Sequence, residues 1–459
     1  MATMIQRSDT PETPTPPLAP GDPACMLWSA PDAPKWGLDF FGLLFYILIE
    51  YTRLATMYPV LAPLQLGKVS LLMAMFGVLA CRSNPSADGN GKVKFAIVLL
   101  GIFTCISGLT AHYTIVPDAS LWNIPEQLIV VFLIARAVTN RWRSSVFVFL
   151  LLLLNLKVAQ HGLRTYILEH GRATDEMAFV KFGIIGGGGG FYDNSADLGV
   201  AMCVVFGLSV ALLQAKSKPR SRLFFLACTL AFGALILVCG SRGAVVGAAA
   251  IILATWLKSP RKSWAPVFLL LFGAGLVFLM PHASRDRFKS AEHWQGDETA
   301  NHRILLWQAG LRMWADYPVL GVGPANYRYV RQASYRIAVA NDRDAYVCHS
   351  LYIEVISELG TLGSLAAIAI IAFFFLLTRR VRKRLIANNA DRQSWEFCLC
   401  SGLEMAMIGY LVSGAFVSVF WYPHIWILCG LAMGLNTATA PPTAASDFAL
   451  PALQPCPNT

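Results

Sequence analysis

Charged residues are scarce in this chain: Asp, Glu, Lys and Arg make up 14% of its 459 residues, compared with about 25% in an ordinary soluble domain. Hydrophobic residues make up 56% and form continuous runs, such as residues 95–109, 146–154 and 365–377. This combination excludes a soluble enzyme with a single membrane anchor. The runs do not alternate with a period of two, which excludes a transmembrane β-barrel. We therefore predict an all-α polytopic membrane protein.

Several chemical motifs are also missing. The eleven cysteines lie mainly in apolar runs and show no paired spacing typical of a zinc site. Neither H-E-x-x-H nor G-x-S-x-G occurs. Five consecutive glycines at 186–190 lack the Gly-Lys-Ser/Thr that completes a nucleotide-binding P-loop. Phosphate contact and a flexible hinge both remain open interpretations of this glycine run.

At about 20 residues per span, the hydrophobic runs predict twelve transmembrane helices. The predicted spans are 37–52, 64–81, 93–111, 121–139, 145–160, 196–215, 222–240, 243–257, 264–281, 350–378, 395–414 and 416–436. Lys and Arg gather in alternate loops, so the positive-inside rule predicts that both termini are cytoplasmic. The predicted organisation is a disordered cytoplasmic tail (1–36), helices 1–9 (37–281), a large periplasmic loop with interfacial helices (282–349), helices 10–12 (350–436) and a second disordered cytoplasmic tail (437–459).

The large loop contains a predicted amphipathic helix and ends at a histidine. Ile304, Trp307, Leu311 and Trp314 follow spacings of 3, 4 and 3, which is typical of one helical face. Either this helix lies in the membrane interface or it packs on the rest of the loop. His349 directly precedes the tenth span, and imidazole has an unperturbed pKa suited to proton transfer near neutral pH. A capping or packing histidine is the alternative.

Arg242 occupies a turn of about two residues between two apolar spans. A charge at such a position is functional by default, although an arginine that snorkels to the interface is the alternative. Because guanidinium groups bind phosphate oxygens in pairs, the outer arginines and His349 indicate a lipid-linked phosphate substrate. Asp193 and Asp197 are the nearest approach to a metal-binding pair, but no metal site is predicted. The further candidates for substrate binding are Arg164, Lys181, Arg312, Arg328, Asp193, Asn194 and Ser350.

The spacing of His349-Ser350, nine residues, Gly360, two residues and Gly363 resembles the signature of the O-antigen ligase and polymerase superfamily, most closely that of the ligases. These are bacterial membrane glycosyltransferases that take glycans from undecaprenyl pyrophosphate. The matching stretches also include Arg303-x-x-x-Trp307, Pro318 to Gly323, the Ser-Arg-Gly turn at 240–243 and a weaker Asp-Asn motif at 191–197. The resemblance covers roughly residues 180–375.

This resemblance implies a GT-C-type fold with no metal, nucleotide or other cofactor. It places the catalytic base at His349 and pyrophosphate contacts at Arg242 and Arg303. The expected function is O-antigen ligation in the bacterial inner membrane, metal-independent and inverting, with the active site facing the periplasm. The expected partners are an undecaprenyl-pyrophosphate-linked glycan, the lipid A core acceptor and membrane lipids, with no nucleic acid.

Three alternatives stay open at this point. A polymerase would transfer the glycan to another lipid-linked repeat, and a protein O-oligosaccharyltransferase would transfer it to Ser or Thr of a protein. A lipid or polysaccharide transporter would show two halves with interrupted helices, and no clear halves of that kind are visible in the sequence.

Overall fold

The structure, a computed structural model, describes residues 36–52, 54, 58–80, 89–111, 113, 120–168, 192, 194–258, 275, 298–337 and 346–440. Within these ranges every regular element is a helix. The elements are α1 (Leu38–Thr52), a 3₁₀ helix (Pro59–Leu64), α2 (Leu66–Ala80), α3 (Gly91–Leu109), α4 (Ser120–Ala137), α5 (Arg141–Leu168), α6 (Ser195–Leu212), α7 (Pro219–Val238), α8 (Arg242–Lys258), α9 (Glu298–Asp316), α10 (Tyr327–Ser334), α11 (Leu351–Ala387), α12 (Trp395–Gly414) and α13 (Pro423–Ala438).

Within the described residues, seven helical segments are long and apolar enough to cross a membrane. They are Pro59–Ala80, Gly91–Leu109, Arg141–Leu168, Ser195–Leu212, Pro219–Val238, Leu351–Ala387 and Trp395–Gly414. The all-α polytopic membrane class is therefore confirmed. The number of twelve spans stays a prediction.

Each predicted span except the ninth coincides with a helix, but some ends differ. The ninth span, 264–281, and nearly all of both predicted tails lie outside the described residues. Helix α5 begins before its apolar run because the Asn140 side chain accepts a hydrogen bond from the Arg143 N–H at 2.8 Å, which caps the helix. Helix α13 begins only at Pro423, a residue suited to the first turn.

The two ends of the bundle have different chemistry. We call the end where α5 and α12 begin the inner end and the opposite end the outer end, following the predicted topology. At the inner end Arg143 binds both carboxylate oxygens of Asp39 at 2.7 and 3.2 Å. The two side chains are only 2% and 9% exposed, so removing one partner would leave a buried charge without its counterion.

The sequence predicts five basic loops on one side of the membrane, and residues from all five share this inner end. The loops contain Lys92 and Lys94, Arg141 and Arg143, Lys216 to Arg222, Lys258 to Lys262, and Arg379 to Arg392. Arg380 donates a hydrogen bond to Gly89 O at 2.9 Å, and the Lys216 backbone N–H donates to Gln393 O at 2.7 Å. Lys258 and Arg382 both form ion pairs with the buried carboxylate of Glu404. The clustering agrees with the predicted alternation of loops, whereas the side of the membrane stays a prediction.

Helices α6 and α12 form the centre of the bundle. Nearly every side chain of α6 is buried, and a Cβ added at Gly207 would lie 2.6 Å from the backbone N of Ala406 in α12. In an apolar lipid environment, burial of apolar surface contributes little to the association of two helices. Small residues stabilise such contacts because they let the helices approach closely. Helix α8 packs against both α6 and α12.

We expect cysteine labelling to establish the topology. The native Cys348 is only 1% exposed, so it should resist an impermeant maleimide, and reporters are better placed at the exposed positions 315 in α9 and 389 after α11. In a background without other accessible cysteines, Ala315→Cys should react in intact spheroplasts, and Asn389→Cys only after permeabilisation. The reverse pattern would contradict the predicted orientation.

Candidate active site

Helix α11 is broken at Gly360. This residue has φ 63° and ψ −161°, a combination that is essentially restricted to glycine. The break removes the helical hydrogen bonds of the carbonyls before it and of the N–H groups after it. Backbone groups freed in this way need other partners, particularly where water is scarce.

The turn at residues 318–323 supplies those partners. A Cβ at Gly360 would lie 2.5 Å from Val319 O, and one at Gly321 would lie 2.6 Å from Gly360 N. Glycine is therefore required on both sides of the contact. The two glycine motifs seen separately in the sequence form one structural unit. Four backbone hydrogen bonds join them: Val322 N to Ser357 O (2.9 Å), Gly323 N to Glu358 O (3.0 Å), Thr361 N to Pro318 O (2.8 Å) and Leu362 N to Val319 O (3.2 Å).

Two further contacts hold this unit. The hydroxyl of Ser107 in α3 lies 2.7 Å from Leu320 O and 3.0 Å from Glu358 O. The carboxylate of Glu358 accepts hydrogen bonds from the N–H groups of Ala325 at 2.9 Å and Tyr327 at 3.2 Å. Because α10 begins at Tyr327, Glu358 in α11 acts as its N-terminal cap.

The predicted amphipathic helix is present as α9. Its inward face packs on α11, where a Cβ at Gly310 would overlap Ile353 and the Trp314 indole N–H donates to the Thr361 hydroxyl at 3.1 Å. Leu311 is 44% exposed. The helix therefore packs on neighbouring elements through one face, and placement of the other face in the membrane interface stays a prediction.

His349 lies immediately before α11 in a left-handed conformation, with φ 51°. Such a conformation costs about 1–3 kcal/mol for a residue with a side chain, so its neighbours must hold it. Cys348 Sγ lies 3.2 Å from both Ser350 O and Ser418 Oγ, and Ser350 O accepts from Glu354 N at 2.9 Å. Cys348 and Ser350 are buried, whereas the His349 side chain is half-buried.

Three effects, in decreasing order, lower the pKa of His349 to about 4: its burial, the charge of Arg303 and the presence of His302. At neutral pH the imidazole is therefore uncharged and able to accept a proton. The fold brings His349 close to Arg303, although they are far apart in sequence.

Sequence reasoning missed two aromatic rings next to this pair. The rings of His302 and Tyr346 meet edge to face with centroids 4.7 Å apart. The guanidinium carbon of Arg331 lies 5.7 Å from the Tyr346 centroid, and the Arg331 side chain is completely buried. His302 directly precedes the arginine of the Arg-x-x-x-Trp motif, which is the one signal in the sequence that could have indicated it.

The sequence also placed residues 416–422 within the twelfth span, whereas they form a loop between α12 and α13. We call residues 415–422 the connecting loop. It touches three parts of the outer end: Phe416 packs against the Ser-Arg-Gly turn, 3.1 Å from a Cβ built at Gly243, Ser418 contacts Cys348, and the Tyr422 hydroxyl donates to Asp197 at 2.9 Å. The loop thus joins the Arg242 turn, the His349 segment and the start of α6.

The remaining predicted site residues lie in different places. Arg242 is the first residue of α8 and is half-buried. Arg328 is on α10, its guanidinium carbon 5.2 Å from the Tyr329 ring centroid. Asn194 caps α6 by accepting hydrogen bonds from Ala196 N and Asp197 N, which gives it a structural role. Arg312 is exposed on α9.

Three other candidates complete the set. Arg164 is exposed near the end of α5, and Lys181 and Asp193 lie outside the described residues. In the part of the chain that the structure describes, no three His, Cys, Asp or Glu side chains are grouped so that they could hold a metal ion.

Comparison with known protein families gives one match. Residues 225–368 match the family model described as O-antigen ligase. The matched segment spans less than half of the chain and is similar to this family, which supports the resemblance found in the sequence. The matched segment runs from α7 into α11 and includes Arg242, Arg303, His349 and Gly360. No curated protein matches the chain.

We expect Gly360→Ala to destabilise the protein. The substituted residue would keep a glycine-only backbone conformation and place its Cβ against Val319 O, which should lower the free energy of unfolding by about 2 kcal/mol. Thermal unfolding in detergent would measure the change.

Gly67→Ala in α2 is the matched control for this substitution. Nothing lies within 4 Å of a Cβ at Gly67, so alanine there should leave stability unchanged or raise it by its helix propensity. Equal effects of the two substitutions would refute the proposed docking of the 318–323 turn.

Proposed function

We propose that this protein is an O-antigen ligase that transfers a glycan from undecaprenyl pyrophosphate to the lipid A core, on the periplasmic face of the bacterial inner membrane. The family match supports a glycosyl-transferring enzyme of this type in a membrane. The proposed donor, acceptor and mechanism depend on one observation within the matched segment. His349 is held in a left-handed conformation, and its low pKa keeps it neutral at pH 7 beside Arg303.

The proposed reaction uses His349 as the general base. Its imidazole takes the proton from an acceptor hydroxyl, whose oxygen attacks the anomeric carbon of the first donor sugar. The bond from that carbon to the pyrophosphate oxygen breaks, the configuration inverts, and undecaprenyl pyrophosphate leaves with the bonding electron pair. His349 then releases its proton to solvent.

Arginines stabilise the leaving group in this proposal. Pyrophosphate is a good leaving group once its negative charge is neutralised, and Arg303 and Arg242 supply fixed positive charge at the outer end, with Arg328 as a further contact. A preorganised donor of this kind contributes on the order of 3 kcal/mol to transition-state stabilisation. The mechanism therefore needs no metal ion, and we expect activity to persist in EDTA.

Donor binding should also strengthen the base. In the described structure the charge of Arg303 helps to lower the pKa of His349. A bound pyrophosphate would offset that charge and favour the protonated imidazole. His349 would then become a stronger base only when the donor is in place.

This coupling predicts two different acidic limbs in the pH–rate profile. A histidine with a depressed pKa stays neutral until the pH falls near that value, so kcat/KM, which reports the free enzyme, should decline only as the pH approaches about 4. The limb of kcat, which reports the donor complex, should lie at higher pH. Coincident limbs would contradict the proposed offset by pyrophosphate.

Two variants test the role of His349 as the base separately from the effect of the Arg303 charge on its pKa. Asn tolerates the left-handed conformation, so His349→Asn should fold, insert and lose transfer. Arg303→Gln should retain some transfer and move the limb of kcat/KM upward toward the ordinary histidine pKa, because one positive neighbour is lost. Near-normal transfer by His349→Asn would return this residue to a structural role.

The acceptor can be tested with the purified full-length protein. We expect transfer from lipid-linked glycan to lipid A core, and we expect a deletion strain to accumulate long lipid-linked glycan and make rough lipopolysaccharide. Glycan lengthening on undecaprenyl pyrophosphate, or lipopolysaccharide capped with one repeat in the deletion strain, would indicate a polymerase. Transfer to Ser or Thr of a protein would indicate an O-oligosaccharyltransferase.

A further inference from the structure

An apolar groove separates the outer halves of α5 and α7. Nearer the inner end the space between these helices is filled by Phe149 and Phe224, whose ring centroids are 4.5 Å apart. Further out, the small side chains of Ala227 and Ala231 leave a groove of about 530 Å³. Leu156, Leu163 and Ile167 of α5 form its other wall.

Positive charge lies at the outer rim of this groove. Arg164 lines the groove and is exposed, and its guanidinium makes no hydrogen bond or ion pair with a described residue. Lys157 lies two helical turns toward the inner end, and its ammonium donates to the side chain of Gln160, another lining residue, at 2.8 Å. The positive-inside rule places cations at the inner end, so topology does not explain these two residues.

The groove lies at the depth of the acyl chains of a phospholipid, and its rim lies at the depth of the headgroup. Arg164 lies 23 residues after the start of α5, which corresponds to about 35 Å along a helix. The hydrocarbon core of a bilayer is about 30 Å thick. Arg164 is therefore at the level of the outer headgroups, while Leu156 and Ala231 lie at the level of the acyl chains.

The groove is distinct from the candidate active site. Helix α5 packs mainly on α1, α6 and α7, whereas α11 packs on α3, α9, α12 and α13. Helices α6 and α12, the centre of the bundle, lie between the groove and His349. A donor whose pyrophosphate is at Arg303 therefore cannot place the same phosphates at Arg164.

We propose that this groove binds an anionic phospholipid of the surrounding bilayer, with an acyl chain between α5 and α7 and the phosphate at Arg164. The apolar walls fit the chain, and the Arg164 guanidinium complements the headgroup charge. A zwitterionic lipid would fill the same groove with less electrostatic gain. Arg164, a candidate for substrate binding by sequence, would then bind a structural lipid instead.

Native mass spectrometry of the full-length protein can test this proposal with equal amounts of phosphatidylglycerol and phosphatidylcholine. We expect wild-type protein to retain phosphatidylglycerol preferentially. Arg164→Gln should reduce that preference about fivefold, since a cation near the membrane surface contributes about 1 kcal/mol to binding of anionic lipid. Ala231→Trp should fill the groove and remove the retained lipid.

Two matched controls separate the groove from general effects. Arg336→Gln removes another exposed cation, and Leu230→Trp adds the same bulk to the lipid-facing side of α7, where Leu230 is 59% exposed. Both should retain phosphatidylglycerol like wild type. Equal retention of the two lipids by wild type, or equal retention by the two Trp variants, would overturn the proposal.

A competition arm distinguishes a bilayer lipid from the donor. Excess lipid-linked glycan should leave the retained phosphatidylglycerol in place. Its displacement would assign the groove to the donor and overturn the proposal. Since this readout measures bound lipid and not glycosyl transfer, it holds whether or not the proposed ligase activity is found.

Discussion

The outer end of this protein depends on the insertion of one turn into a broken helix. Residues 318–323 donate and accept the hydrogen bonds that α11 loses at Gly360, and Ser107 reinforces the contact from α3. Without that exchange, the break would leave backbone groups without partners. With it, a segment of the large polar loop becomes a continuation of the transmembrane bundle, and α9 and α10 are fixed relative to His349.

The same arrangement determines the electrostatics of the site. His349 is partly withdrawn from water and has Arg303 and His302 as neighbours, so its pKa is low. This makes the free site resistant to protonation, so the positive charge near His349 comes from Arg303 and not from the imidazole. A phosphate-bearing substrate would find fixed positive charge already in position, which reduces reorganisation during the reaction.

Much of the fold followed from the sequence because long apolar runs have one stable solution in a bilayer. The helix positions and the shared end of the basic loops are of this kind. The family resemblance assigned roles to His349 and Arg303, and these roles stay predictions. Tyr346 and the connecting loop could not be predicted because tertiary contacts alone define their roles, and the sequence indicates His302 only by its place before Arg303. Hydropathy could not separate residues 416–422 from a span, since Phe416, Val417, Val419, Phe420 and Trp421 are apolar yet turn back over the bundle end.

The cap that Glu358 provides for α10 has a mechanical consequence. It joins α10 to α11, the helix that begins just after His349. Arg328, Arg303 and His349 therefore belong to one block of packed elements. Arg242 belongs to another block, built on α8, and the connecting loop is the spacer between the two. Helix α12 packs against both α8 and α11, so helix packing and the connecting loop together determine the separation of the two proposed phosphate contacts. The loop is the part of this connection that contacts both blocks through side chains outside the helices, Phe416 at the Arg242 turn and Ser418 at Cys348.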